Sequence, residues 1–464
     1  MNEPDYLFGS AKSLAKAIAA GELSTTEVVA AHLARIEAVN PKLNAVVTQV
    51  ADRALQEAHS ADQRAAAGKR LGPLHGVPMT IKDSFDTEGI RSTASTEGRR
   101  HRIADTDATV VNRLRRAGAI VLGKTNTPEL TMGVDTESPI FGRTNNPYDP
   151  RYTPSGSSGG AGAILAAGGS ALDVGSDTGG SIREPAHVCG IVGLKPTAGR
   201  LPKTGHAVSF GIGLIDCITQ VGPMARYVED VELALDLMKG PDGQDFTVAP
   251  VPLRRSRSVN VRNLRIAYFT HNGLWDVHAD VAAATETAVA ALRPLVSRTV
   301  ENAPPAIAAM GDLYTAFRTG DGGWGLRQLL EDMGTARAGE ALRNRIDGSH
   351  RVDTEELASL ALRADQFKAA MYAYIQDYDA IVCPPCPYPP WLHGSGLNSR
   401  YEEWSYSAPF NLTGWPAIVL RAGSSAGGLP VGVQIVAAPW REDIILALAR
   451  TVEREGLGYQ RPHY

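Results

Sequence analysis

Two glycine- and serine-rich stretches of this 464-residue chain have residue types that could do chemistry. The first is Ser155-Gly156-Ser157-Ser158-Gly159-Gly160-Ala161-Gly162. The second is Gly175-Ser176-Asp177-Thr178-Gly179-Gly180-Ser181-Ile182-Arg183-Glu184-Pro185-Ala186. Glycine loses the most backbone freedom on ordering, so runs of it mark loops where the backbone itself approaches something. Successive N–H groups in such turns make sites for anions and developing oxyanions. Serine hydroxyls beside them are candidate nucleophiles. A flexible linker has a similar composition. Here, however, the pattern does not repeat, and an apolar stretch from Ala163 to Val174 joins the two loops. Lys82 is the third candidate, at the end of the apolar run Val77 to Ile81. Such a lysine either snorkels to the surface or serves as a buried functional amine, and the run alone favours the surface.

Several partial matches lead elsewhere. Gly156-Ser157-Ser158-Gly159-Gly160 satisfies GxSxG with Ser158 central, a motif that calls for a later acid and histidine. His187, His206 and His393 are available, and no spacing selects one. Asp177-Thr178-Gly179 copies the aspartic-protease triplet, whose chemistry needs a second carboxylate sharing a proton, and no second copy exists. Ser13-Leu14-Ala15-Lys16 matches S-x-x-K without companion motifs. Cys383-Pro384-Pro385-Cys386 has CxxC spacing, but Cys189 and Cys217 supply no second pair, which argues against a metal or redox centre.

These residues must be positioned by the rest of the chain. Hydrophobic residues at 43% and charged residues at 21% describe an ordinary globular sequence with ample core. A net charge of −4 argues against a nucleic-acid partner. The main basic run, Arg254, Arg255, Arg257 and Arg262, reads as a solvated loop. Four cysteines in so long a chain cannot be a disulfide scaffold. The first twenty residues lack a secretory apolar region, and no apolar run approaches the roughly 20 residues that span a bilayer. The cytoplasm is the expected location.

Ser24 followed by Glu27 predicts a capped helix, and further helices are expected over 50–67, 107–116, 281–295 and 442–455. Short apolar runs at 77–81, 119–122, 172–174, 218–221, 264–269, 380–383, 417–420 and 431–436 predict strands. This alternation predicts an α/β fold with a mixed, largely parallel central sheet covered by helices. No linker divides the chain, so one domain over residues 1–464 is expected. Residues 372–415 hold ten aromatic side chains among several prolines, either as satellite core or as the aromatic wall of a ligand pocket.

Lys82, the Ser157–Ser158 pair and Ser181 after Gly179-Gly180 together resemble the amidase signature family of serine hydrolases. The resemblance covers nearly the whole chain and is most specific from Ser155 to Ala186. It continues in Gly76-Val77-Pro78-Met79-Thr80-Ile81-Lys82-Asp83, Lys124-Thr125-Asn126-Thr127-Pro128-Glu129 and Cys189-Gly190-Ile191-Val192-Gly193-Leu194-Lys195-Pro196-Thr197. Asn411-Leu412-Thr413-Gly414 and Gly428-Leu429-Pro430-Val431-Gly432-Val433-Gln434 match it too.

The resemblance implies a Ser–cisSer–Lys triad with Ser181 as nucleophile, Ser157 as bridging serine and Lys82 as base. It also implies an oxyanion hole from the N–H groups of Thr178, Gly179, Gly180 and Ser181, an acyl pocket at Thr131 and Met132, and a supporting ion pair of Asp177 and Arg183. Ser155 departs from the family, where glycine is usual, with little expected consequence. No cofactor or metal is implied. A serine is a poor nucleophile until a base takes its proton, and a lysine can do so only when burial keeps it neutral. The rate should therefore rise with pH toward an alkaline optimum.

The implied function is a stand-alone amidase that cleaves a carboxamide to a carboxylate and ammonia or an amine through an acyl-enzyme. The alternative is the glutaminase-like A subunit of a tRNA-dependent amidotransferase, although Glu184 stands where those subunits typically carry glutamine. The expected partner is a small-molecule amide, with no nucleic acid or membrane and a homodimer left open. Pocket segments are expected near 320–330 and 372–415, and the aromatic stretch predicts an apolar or aromatic group on one side of the scissile bond.

Overall fold

Apolar runs too short for helices form the strands of one sheet, and the amphipathic stretches between them pack on it. The computed structural model describes residues 4–210, 213–398 and 400–463. Ser399 and the side chain of Tyr401, both in the aromatic stretch, lie outside the described residues. The first strands are β1 (Val46–Gln49), β2 (Pro78–Lys82) and β3 (Ile120–Thr125), then a separate ribbon of β4 (Glu137–Ser138) and β5 (Gly142–Arg143). They are followed by β6 (Leu172–Asp177), β7 (Val192–Lys195), β8 (Gln220–Ala225), β9 (Arg265–Tyr268) and β10 (Arg298–Glu301). The last are β11 (Ala380–Cys383), β12 (Ala417–Ser424) and β13 (Pro430–Val436). Eleven of these form one sheet in the order β1-β3-β2-β6-β8-β7-β12-β13-β11-β9-β10.

The sheet is mixed. Parallel pairing holds in two blocks, β3-β2-β6 and β11-β9-β10, while the strands between them run antiparallel. The tight turn at Ser425, where Gly428 N–H donates to its carbonyl at 2.9 Å, joins β12 to β13 and permits only antiparallel pairing. The eight strands read from the sequence are present. Strands β1, β7 and β10 escape that reading, β10 (Arg-Thr-Val-Glu) because it lacks an apolar run. The stretch from Ala163 to Val174 splits, its first part ending the helix Gly159–Ala166 and its last part opening β6.

Two apolar cores flank the site. Val77, Met79, Ile81, Leu172, Val174 and Leu194 belong to the first, all within 1% of full burial. Each fully buried aliphatic side chain contributes about 1.5–3 kcal/mol relative to exposure. The second core is built largely from helices between β10 and β11, with Tyr314, Phe317, Leu326 and Phe367 packed near Trp404 and Trp415. The parallel pairing of β2 with β6 brings the C-terminal ends of both strands to one edge, the place where open α/β sheets bind ligands. Among the described residues no helix is long and apolar enough to cross a membrane.

Candidate active site

Lys82 ends β2 and is completely buried. Its Nζ lies 2.7 Å from Ser157 Oγ, 2.9 Å from Ser158 Oγ and 3.0 Å from Ser176 Oγ. Burial lowers the amine to about 7, against the opposing charges of Asp177 and Asp173. A large share of it is therefore uncharged near neutral pH. An uncharged amine donates two N–H groups and keeps a lone pair that can accept a serine O–H, whereas an ammonium can only donate. Asp83, next in sequence, turns the other way and accepts from Thr93 N and Thr93 Oγ1.

The two serine loops meet above this amine. The peptide between Gly156 and Ser157 is cis. Ser158 is fully buried, precedes the helix Gly159–Ala166 and donates its N–H to Ser181 O at 3.1 Å. Ser181 is partly exposed and lines a narrow cavity of about 20 Å³. The GxSxG serine thus sits under the loop, and Ser181 faces the space a ligand could enter.

Backbone geometry explains two glycines. A Cβ at Gly179 would lie 1.9 Å from Tyr314 Oη, and Gly180 adopts φ 137°, which L side chains rarely take. Gly179 and Ser181 N–H have no acceptor among the described residues. Gly180 N–H differs: it donates to Asp177 Oδ1 at 2.9 Å, so in this structure that one of the four expected oxyanion-hole donors is engaged by a carboxylate.

Asp177 and Arg183 form a buried two-point pair, Nη2 to Oδ1 at 2.8 Å and Nε to Oδ2 at 3.0 Å. Burial alone would raise Asp177, but the Arg183 charge and hydrogen bonds hold it well below the usual carboxylate range. Arg183 also donates to Ser407 O, Asn411 Oδ1 and Gln434 Oε1, which ties the loop to β13 and to the turn before β12.

Thr131 and Met132 both line the cavity. Leu130 and Thr131 hold φ 49° and 62°, a region rarely used by bulky or β-branched residues and typical of functional loops. The segment 320–330 does not reach the cavity; Arg318, two residues before it, does. Of the aromatic stretch, Trp404 reaches the cavity, while Trp391, Tyr406 and Trp415 are core. Those three side chains are therefore packing.

Three further residues carry no local sequence signal for their placement. Ser176 completes the hydroxyl cage of Lys82, and Asp173 accepts from Lys82 N and Thr80 Oγ1. Glu184 lines the cavity, buried among Asn398, Ser407 and Ser155. Burial, reinforced by the Asp177 charge and offset by Arg183, pushes its carboxyl up to about 8. Ser155 has φ 59°, which explains the glycine usual there, and its hydroxyl lies 3.5 Å from Glu184 Oε2. The two residues at which the chain departs from the compared patterns are thus neighbours.

Two of the three candidate histidines, His187 and His206, are held in structural contacts. His187 accepts from Gly432 N at 2.8 Å and donates to Tyr388 O at 2.8 Å, and burial lowers it to about 4. His206 packs on Phe85 and contacts Ser209 Oγ. Cys383 and Cys386 are buried free thiols, with Cys383 Sγ accepting from Gln434 Nε2.

The family model Amidase matches residues 27–446. An acylamidase of Rhodococcus erythropolis is 34% identical, covering 98% of this chain and 96% of that protein. The A subunit of a glutamyl-tRNA(Gln) amidotransferase from a Synechococcus species is also 34% identical, over 94% of each chain. The solved structure of 6-aminohexanoate cyclic dimer hydrolase with its substrate is similar with a TM-score of 0.86 and 31% identity, covering 98% and 99% of the two chains.

Proposed function

Because the chain belongs to the amidase family and is an amide-hydrolysing enzyme, we propose that it acts alone, through an acyl-enzyme on Ser181. The observation that carries this reading is the buried Lys82 amine, lowered by burial to about 7, at 2.7 Å from Ser157 Oγ. Lys82 takes the Ser157 proton as Ser157 takes that of Ser181, a relay open to a hydroxyl that both donates and accepts. Ser181 Oγ then attacks the amide carbonyl carbon. The oxyanion forms against the N–H groups of Gly179 and Ser181, with Thr178 beside them, and such donors usually supply the largest part of the rate enhancement. The proton returns through Ser157 to the leaving nitrogen, the C–N bond breaks, and ammonia or an amine departs. Water attacks the ester by the same route and releases the carboxylate.

The amidotransferase reading is not favoured. Glu184 stands where the resemblance puts glutamine, and the net charge of −4 offers no support for a nucleic-acid partner. Assay of the purified chain alone tests the proposal: simple amides should release ammonia or amine without any added protein. Activity confined to glutamine and dependent on other proteins would overturn it.

A further inference from the structure

The helix Thr354–Ile375 is the longest among the described residues. A capping box opens it: Asp353 Oδ1 accepts from Glu356 N, and Glu356 Oε2 accepts from Asp353 N. Its inner side, Leu360, Ala364, Phe367, Met371 and Ile375, is buried in the second core. Such a stripe anchors a surface helix, whose outer side is then expected to be polar. Here it is not. Leu357, Ala361, Leu362, Ala369, Tyr372 and Ala373 are all exposed, Leu362 at 60% and Tyr372 at 55%. Single exposed apolar side chains are ordinary, but six along one side of a helix make a strip of the kind that meets a partner.

The order of residues along the strip indicates which partner. Ala358, Ala361, Asp365, Lys368 and Tyr372 follow one another at spacings of three, four, three and four. That is the period of a helix-to-helix seam. When two copies of a seam pack antiparallel about a two-fold axis, unlike positions meet and every contact occurs twice. An axis between Gln366 and Phe367 sets Asp365 against Lys368 of the second copy, and Ala361 against Tyr372. Opposite charges then face each other, and the bulky ring faces a small residue. Within one chain Lys368 Nζ reaches Asp365 Oδ1 only at 3.9 Å, and the two side chains are 49% and 80% exposed, so both are open to a second contact.

We propose that two copies of this chain associate through the Thr354–Ile375 helices, packed antiparallel about a two-fold axis in that alignment. The inference is independent of the reaction assigned to Ser181. At 22 residues the helix is about 33 Å long. A strip of that length lies at the low end of the roughly 800 Å² per partner that stable interfaces bury, so the dimer forms and dissociates with protein concentration.

Sedimentation velocity of the purified chain over a concentration series tests this. Wild type should pass from monomer to dimer as concentration rises. Ala361→Glu places a charge in the seam and should remain monomeric while keeping the wild-type circular dichroism. Asp365→Lys and Lys368→Asp each bring like charges together twice, and each should raise the dimer Kd by about 10-fold or more. The double exchange restores opposite charges and should return Kd close to the wild-type value. A wild-type chain that stays monomeric throughout overturns the inference, and its flotation with phosphatidylcholine vesicles would give the strip to lipid instead. A dimer that Ala361→Glu leaves intact overturns it too, as does a double exchange no tighter than either single variant.

Discussion

Asp173 Oδ1 accepts the backbone N–H of Lys82 at 3.1 Å, while the Lys82 amine itself reaches three hydroxyls. A carboxylate thus fixes the strand end that carries the amine, and its charge opposes the amine's neutral form. Burial raises Asp173 to about 6, so it is mostly ionised wherever Lys82 titrates. Asp173→Asn removes a charge that stabilises the ammonium. The acid limb of kcat/KM, set by the free enzyme, should move below the wild-type position near 7. A limb that stays in place would show that Asp173 is uncoupled from the base.

Lys82→Ala should lower the acylation rate by about 10² or more, the usual scale for a general base. Lys82→Arg should do no better, since a guanidinium does not deprotonate at working pH. His187→Ala and His206→Ala should keep most activity where they fold. For His187 the cost is in stability, about 1–3 kcal/mol for leaving Gly432 N or Tyr388 O unpaired. A near-normal Lys82→Ala beside an inactive histidine variant would falsify the lysine mechanism.

A fluorophosphonate followed by peptide mapping should label Ser181 and spare Ser158. Ser158 is fully buried against Lys82 and donates its N–H to Ser181 O, whereas Ser181 opens to the cavity. Label on Ser158 with none on Ser181 would return the site to an ordinary serine elbow.

Glu184 sets the alkaline side. A group pushed up to about 8 is neutral below that pH and gains a negative charge as pH rises through it. A Cβ built on Gly180 would lie 2.5 Å from Glu184 Oε1, so this charge would appear beside the oxyanion loop and oppose the developing oxyanion. Asp177 adds to the repulsion, while Arg183 and Arg318 offset it. The wild-type kcat/KM should therefore peak between about 7 and 8, not at the alkaline optimum that a lysine base alone suggests. Glu184→Gln should extend the plateau upward. An alkaline limb identical in the two proteins would clear Glu184 of that role.

The two serine loops are legible in sequence because their signal is local. Gly179 and Gly180 are needed by their own backbone surroundings, and Ser157, Ser158 and Ser176 sit within twenty residues of one another. The strand that ends at Lys82 is readable, but the run alone favours a surface lysine, and the hydroxyl cage is not readable because Ser176 reaches it only through the β2–β6 pairing. The cavity wall is less legible still. Arg318 and Trp404 are separated by 86 positions and meet face to face, and no periodicity in either segment announces the contact. The aromatic stretch misleads for the same reason: composition cannot distinguish Trp415, which fills core, from Trp404, which reaches the cavity.

Lys82 and the serines around it are rooted on β2, β6 and the adjoining helix Gly159–Ala166, whereas Arg318 and Tyr314 belong to the core built from helices between β10 and β11. Heritable change can fall on these two layers separately. Substitutions among residues 302–379 repack the second core and shift the guanidinium, while the lysine cage, held by strand pairing, keeps its spacing. The part of the cavity wall carried by those helices can therefore change while the lysine cage stays intact.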